Sequence, residues 1–289
     1  MEKNELRAKI YSKVDELPTL SMVLPKLMSL VESDKSSASD ITSVISRDPA
    51  LTSKILKVAN SAYYGFQQKV LDLNRAVALL GSNMVRSLAL SIKVVHSLPS
   101  GKKSPHFSRE GLWIHSLAVA TAMQELGKRF GKGDNKGHLF IIGLLHDIGK
   151  IVLDQFFSEL FQQALEETRN LGKAELYMAE RRTIGFDHGE VGAMLLTRWK
   201  FPDMIINPIA AHHQTEIPEE TGVNDVAMLR IANILPQELG LGEEGNPVPP
   251  EINEADLEIL GMKEKELEDM RAYLNSVKDG IYDLFSAMS

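Results

Sequence analysis

Apolar side chains recur every third or fourth residue along nearly the whole chain. No stretch alternates apolar and polar residues strongly enough to suggest a strand. That pattern restricts the fold to packed helices. Leu20, Val23, Leu24, Leu27, Leu30 and Val31 share one helical face, and after the polar stretch 33–39 a short helix carries Ile41, Val44 and Ile45. Asp48 before Pro49 marks the next start: a short carboxylate accepts a free amide of the first turn, and a proline there gives up no hydrogen bond. Leu51, Ile55, Val58 and Ala59 form that helix's buried stripe. Asn74 to Leu80 reads as a short helix closed by Gly81. Ser82 would cap the following one, with Met84, Val85, Leu88, Leu90, Ile92 and Val95 inside. The expected class is all-α, a multi-helix bundle with an N-terminal helical lobe.

Glycine and proline divide the chain. The 99–105 stretch, Pro-Ser-Gly-Lys-Lys-Ser-Pro, separates an N-terminal lobe (1–99) from a central lobe (106–240). Gly240, Gly242, Gly245, Pro247, Pro249 and Pro250 read as a second linker. The remainder, 241–289, is expected to add one short and one long helix against the body. At 289 residues the chain can bury one large core or two modest ones. No apolar run reaches the ~18–20 residues that span a bilayer. The opening MEKNELRAKIYSK lacks the apolar core of a secretory signal, so a cytoplasmic protein without membrane contact is expected.

Cysteine is absent, which excludes disulfides, thiolate metal sites, iron–sulfur clusters and a cysteine nucleophile. Chemistry then falls to the eight histidines. His96, His106 and His138 have no polar residues arranged around them and are read as structural. The other five lie in the central lobe. His115 sits inside an apolar helix, where an ionisable ring is costly without a partner. His146 precedes Asp147, His188 stands in Asp-His-Gly-Glu, and His212 and His213 are adjacent. Imidazole and carboxylate are the donors that bind Fe, Mn, Ni, Zn or Mg when thiolate is unavailable. Helical bundles build such centres by pointing side chains from several helices at one spot.

These pieces resemble a known family. Leu17-Pro18-Thr19-Leu20, Ile45-Ser46-Arg47-Asp48-Pro49-Ala50-Leu51-Thr52, Val58-Ala59-Asn60-Ser61-Ala62, Ala76 with Leu79-Leu80-Gly81, and Gly143-Leu144-Leu145-His146-Asp147-Ile148-Gly149-Lys150 are similar to the HDOD group. This HD-related output domain belongs to the HD superfamily of metal-dependent phosphohydrolases. The resemblance covers about residues 15 to 240. It implies an HD-type helical bundle with metal ligands at His115, His146, Asp147 and a final acid. That last position is Asn233, a neutral and weaker donor. His188, His212 and His213 match the additional histidines of the HD-GYP group of cyclic-dinucleotide phosphodiesterases. Gln214-Thr215-Glu216-Ile217-Pro218 stands where that group's Gly-Tyr-Pro segment belongs, and Gly111 cannot supply a further acid.

By that resemblance Asp147 bridges two ions, His115 and His146 hold one, and His188 and His212 hold the other. His213 binds or orients substrate. Lys150, three residues beyond Asp147, either meets a substrate phosphate or pairs with Asp147. Asp187 and Glu190 flank His188 and either fix its ring or form a solvated helix end. HDOD modules are regarded as regulatory outputs without the catalytic set. The implied function is therefore a signal-transduction module with a metal site of one ion or two and little or no turnover. It would meet a signalling protein in trans or a small phosphorylated ligand. The alternative is an active phosphohydrolase on a nucleotide or cyclic dinucleotide. A helix, a Gly-Ser turn and a second helix across Ala76 to Ile92 raise DNA binding as a third reading. Only Arg86 and Lys93 serve it, and the net charge of −7 opposes phosphate attraction.

Overall fold

The structure is a computed structural model that describes residues 3–16, 27, 37–98, 106–131, 137–172, 175–218 and 221–289. The Leu17-Pro18-Thr19-Leu20 stretch, most of the Leu20–Val31 stripe and the 99–105 linker lie outside the described residues. Among the described residues there is no strand. Nor, among those residues, is any single helix long and apolar enough to cross a membrane.

The N-terminal lobe comprises α1 (Lys3–Glu16), α2 (Ala38–Ile45), α3 (Pro49–Ala59), α4 (Leu73–Leu80) and α5 (Ser82–Ser97). Asp48 caps α3 through the Leu51 amide at 3.0 Å, and its second oxygen pairs with Lys93. The Asn60 amide ties α3 to the loop after it: it accepts from Val70 N–H at 2.8 Å and donates to the Val70 and Leu56 carbonyls. Asp48 of the Arg-Asp-Pro motif and Asn60 of the Ala-Asn-Ser motif thus have structural partners. One correction concerns α5. Its N-cap is Gly81, with φ +84°, and Ser82 is the first helical residue, making no side-chain cap. The DNA reading loses both its cations, since Arg86 is buried and Lys93 is paired with Asp48.

The central lobe contains α6 (Arg109–Phe130), α7 (Gly137–Leu145), α8 (Ile148–Phe156), α9 (Ser158–Leu171), α10 (Leu176–Thr183), α11 (His188–Arg198), α12 (Asp203–Ala211) and α13 (Val223–Glu238). α6 packs on α7 and α13, α8 on α11, and α12 on α7 and α11. Gly149 makes the crossing of α8 and α11 possible: a Cβ there would stand 1.9 Å from the His188 carbonyl oxygen. The C-terminal part forms three helices, where one short and one long were expected: α14 (Glu254–Leu260), α15 (Glu264–Ser276) and α16 (Lys278–Met288). Val277 ends α15 and leads directly into α16, which turns to lie on α3 and α6. Among the described residues one large apolar core runs from Ile10 through α5, α6 and α13 to Met288, with a small satellite of Ala59, Val70 and Ala76, so the lobes distinguished by composition share that large core.

Candidate metal centre

Five short polar pieces converge where α6, the α7–α8 junction, the start of α11, the end of α12 and α13 meet. His115, His146, Asp147, His188 and His212 are each at most 4% exposed. His115 Nε2 lies 2.8 Å and His146 Nε2 3.3 Å from Asn233 Oδ1. Asp147 Oδ2 is 3.2 Å from His146 Nε2 and 3.9 Å from His115 Nε2. Its other oxygen, Oδ1, is 3.0 Å from His188 Nε2, which in turn is 2.9 Å from His213 Nε2. Asp147 therefore stands between two donor groups, His115–His146–Asp147 and His188–His212–His213.

Ring orientation is fixed from behind. His146 Nδ1 lies 2.8 Å from the Gly143 carbonyl, and His212 Nδ1 lies 2.6 Å from that of Ile209. With Nδ1–H donating there, each ring turns an Nε2 lone pair inward. His188 Nδ1 lies 2.7 Å from Glu180 Oε2, which also accepts the His188 backbone N–H. Glu180, buried on α10, thus holds the His188 ring. Asp187 and Glu190 do not: they form the reciprocal capping box of α11, and Asp187 also pairs with Arg181. An acid on the buried Leu176–Ala179 face of α10 was the available sequence signal for Glu180.

Lys150 is 1% exposed. Its Nζ donates to Asp147 Oδ2 at 2.8 Å and to Glu244 Oε2 at 2.5 Å. Glu244 comes from the Gly/Pro-rich segment read as a linker, yet it is only 4% exposed. That segment is docked. Glu243 N–H donates to the Gly111 carbonyl at 3.1 Å. A Cβ on Gly242, at φ +77°, would stand 2.4 Å from His115 N. Of the two expectations for Lys150, the geometry gives the pair with Asp147 and adds a second carboxylate.

Burial, followed by the neighbouring His146, pushes His115 down to about 4. Burial and adjacent rings also hold His212 and His213 well below the ordinary range. These rings are neutral at pH 7 and offer lone pairs. Burial alone would lower His188, but Glu180 and Asp147 outweigh it and raise the ring to about 9. Burial would raise the Asp147 carboxyl, but His146, Lys150 and His188 keep it well below its usual value. Lys150 is likewise held charged, because Asp147 and Glu244 outweigh the cost of burying it.

This donor set fits a metal ion. His212 Nε2 is buried with no hydrogen-bond partner, and such an atom is costly unless something binds it. Donors 2.8–3.3 Å apart have the spacing of neighbouring ligands on one ion with bonds of about 2.0–2.2 Å. Beside the centre opens a cavity of about 300 Å³, lined by His212, His213, Tyr177, Arg230, Glu175, Glu251 and Asp256 among others. Tyr177 stacks on His213 with ring centroids 4.3 Å apart. Arg230 spends its guanidinium on the Ala211, His212 and Gln214 carbonyls and on Asp256.

The HDOD domain family model matches residues 17–215. An uncharacterised protein of Treponema pallidum (strain Nichols) is 30% identical over 221 residues, which make up 75% of this chain and 41% of that protein. The chain spans about two fifths of that relative's length. Among solved structures, an HDOD domain protein of unknown function from Geobacter sulfurreducens is 26% identical with a TM-score of 0.81, covering 98% of this chain and 96% of that one. A Marinobacter aquaeolei VT8 protein, whose name proposes signal transduction, shares the fold at 20% identity and TM-score 0.83, covering 99% of this chain and 66% of that one.

Proposed function

The chain belongs to the HDOD family, and from that premise we propose that it is a regulatory signal-transduction module whose HD-type centre binds a transition metal and turns over little or no substrate. The observation that carries this reading is the placement of the cations. A phosphohydrolase needs positive groups facing the phosphate as charge develops. Lys150 instead lies buried between Asp147 and Glu244. Arg230, at the cavity wall, is committed to backbone carbonyls, and Glu175, Glu251 and Asp256 beside it repel phosphate.

A bound ion would draw on His115, His146, Asp147, His188 and His212, with Asn233 as a weak neutral donor and His213 at the cavity mouth. In a working hydrolase such an ion lowers the pKa of bound water. In this chain the residues hold the centre rigid: Glu180, Gly143 and Ile209 fix the rings, and Lys150 keeps Asp147 ionised and oriented. The module would act through a protein partner in trans, in the cytoplasm.

The test is a phosphodiesterase assay on the Mn²⁺- or Fe²⁺-loaded chain with cyclic dinucleotides and a generic phosphodiester. The expected outcome is metal uptake without turnover. The competing hydrolase reading draws on the convergence of the His/Asp donors and requires turnover in the same assay.

A further inference from the structure

We propose that the cavity behind the 242–246 loop is an effector site for a small zwitterion of the free amino-acid class, and that its occupant tightens metal binding through Glu244 and Gln237. The coupling rests on the metal-binding reading above; the binding site does not. The cavity lies between the last turn of α9, the last turn of α13 and the docked loop. It is separate from the cavity that opens at His212 and His213, and the two share no lining residue.

The ionisable side chains on its walls are His106, Arg169, Glu243 and Glu244. Glu244 is spent: it accepts from Lys150 and from the Asn246 N–H. Arg169 and Glu243 are exposed, and no hydrogen bond or ion pair among the described residues engages the charged end of either. Asn246 adds a donor, because its Oδ1 accepts the Leu176 N–H at 2.7 Å and so fixes which end of the amide is Nδ2. A guanidinium and an amide N–H suit a carboxylate, and the Glu243 carboxylate suits an ammonium. Walls of both signs disfavour a pure anion or a pure cation, since each would meet a like charge. At about 250 Å³ the cavity is smaller than the ~300–1,000 Å³ of pockets for drug-sized ligands, which suits a molecule of amino-acid size.

Three wall residues are joined to the metal centre. Glu244 Oε2 holds Lys150 at 2.5 Å, and Lys150 donates to Asp147 Oδ2 at 2.8 Å. Gln237 Nε2 donates to the Asn233 carbonyl at 3.0 Å and lies 3.4 Å from Asn233 Oδ1, the atom beside His115 and His146. Gly242 sits where a Cβ would stand 2.4 Å from His115 N. The loop thus meets the centre on one side and the cavity on the other. A ligand that bridges Arg169 on α9 and Glu243 on the loop clamps the loop down, and with it Glu244 on Lys150. Metal ligands bind best when the groups behind them are held in place. Linkage is reciprocal: an occupant that favours the metal-ready arrangement must itself be favoured by the ion, by the same factor.

The experiment is calorimetric titration of the full chain with the standard amino acids, first without metal and then loaded with Mn²⁺. At least one is expected to bind, and its N-acetyl and amide derivatives, each lacking one charge, should bind about tenfold more weakly or worse. Arg169→Ala and Glu243→Gln alter exposed side chains, so the fold should stand, and each should weaken binding about tenfold. The best binder should tighten Mn²⁺ about fivefold or more, and Mn²⁺ should tighten that amino acid by the same factor. No binding by any amino acid up to about 10 mM would overturn the site, as would derivatives or variants that bind as well as the parent. Mn²⁺ affinity left unchanged or weakened by the bound amino acid would overturn the coupling. A chain that binds an amino acid but takes up no Mn²⁺ would defeat the metal-binding reading, and the coupling with it, and leave the site standing.

Discussion

Gly149→Ala tests the way the helices build the centre. The added Cβ would stand 1.9 Å from the His188 carbonyl oxygen and 2.7 Å from Gly192 N, both backbone atoms that no rotamer change can move. A tolerated C···O contact is about 3.3 Å, so α8 and α11 must separate by about 1.4 Å. Overpacking of this kind costs up to about 3 kcal/mol, and the better helix propensity of alanine returns at most about 1. The net loss is then about 2 kcal/mol, or about 4 °C in melting temperature for a chain of this size. Separation also carries His188 away from Asp147, and metal–ligand distances tolerate only about 0.2 Å. Differential scanning calorimetry and Mn²⁺ titration are the assays, with affinity expected to fall by about 100-fold or more. A variant that melts with the native chain and binds Mn²⁺ equally well would show that the helices do not cross this closely.

Asp48→Ala removes the α3 cap and the Lys93 pair; a melting-point loss equivalent to about 0.5–2 kcal/mol is expected, with metal content unchanged. Lys93 and the Leu51 amide lower the Asp48 pKa in the folded state, so its contribution is present above the unfolded value of about 3.9 and disappears as pH falls through the folded one. The stability gap between native and variant should therefore close below about pH 4 in urea titrations. Glu244→Ala leaves Lys150 with one carboxylate, and breaking a buried pair costs about 3 kcal/mol, readable as a lower urea midpoint. Asn233→Asp places a carboxylate against His115 and His146, and calorimetric titration should show Mn²⁺ binding about tenfold tighter or more.

The helices and the donors were legible because both follow local rules. Asp48-Pro49 starts α3, Gly81 ends α4, and the His-Asp pair sits at the α7–α8 junction. Residues whose roles come from tertiary docking were not legible. Glu244 sits in a stretch with no helical period, and its burial depends on Gly111 and Gly242 letting the loop lie against α6. Glu180 lies eight residues from His188 in sequence, whereas Asp187 and Glu190 are its near neighbours. Those two acids are occupied at the α11 N-terminus, and α10 brings Glu180 across from behind. Lys150 could be placed beside Asp147 by helical spacing, but its second partner is 94 residues away. The break at Val277 is similar: the apolar period continues through it, and the turn of α16 onto α3 and α6 is set by packing.

The most direct measurement is hydrolysis of a cyclic dinucleotide by the Mn²⁺-loaded native chain, with His146→Ala as the control. A metal-binding regulatory module should bind the ion and release no linear product above the rate of the His146→Ala control. Robust hydrolysis by the native chain that disappears in His146→Ala would contradict the regulatory reading and make the protein an enzyme.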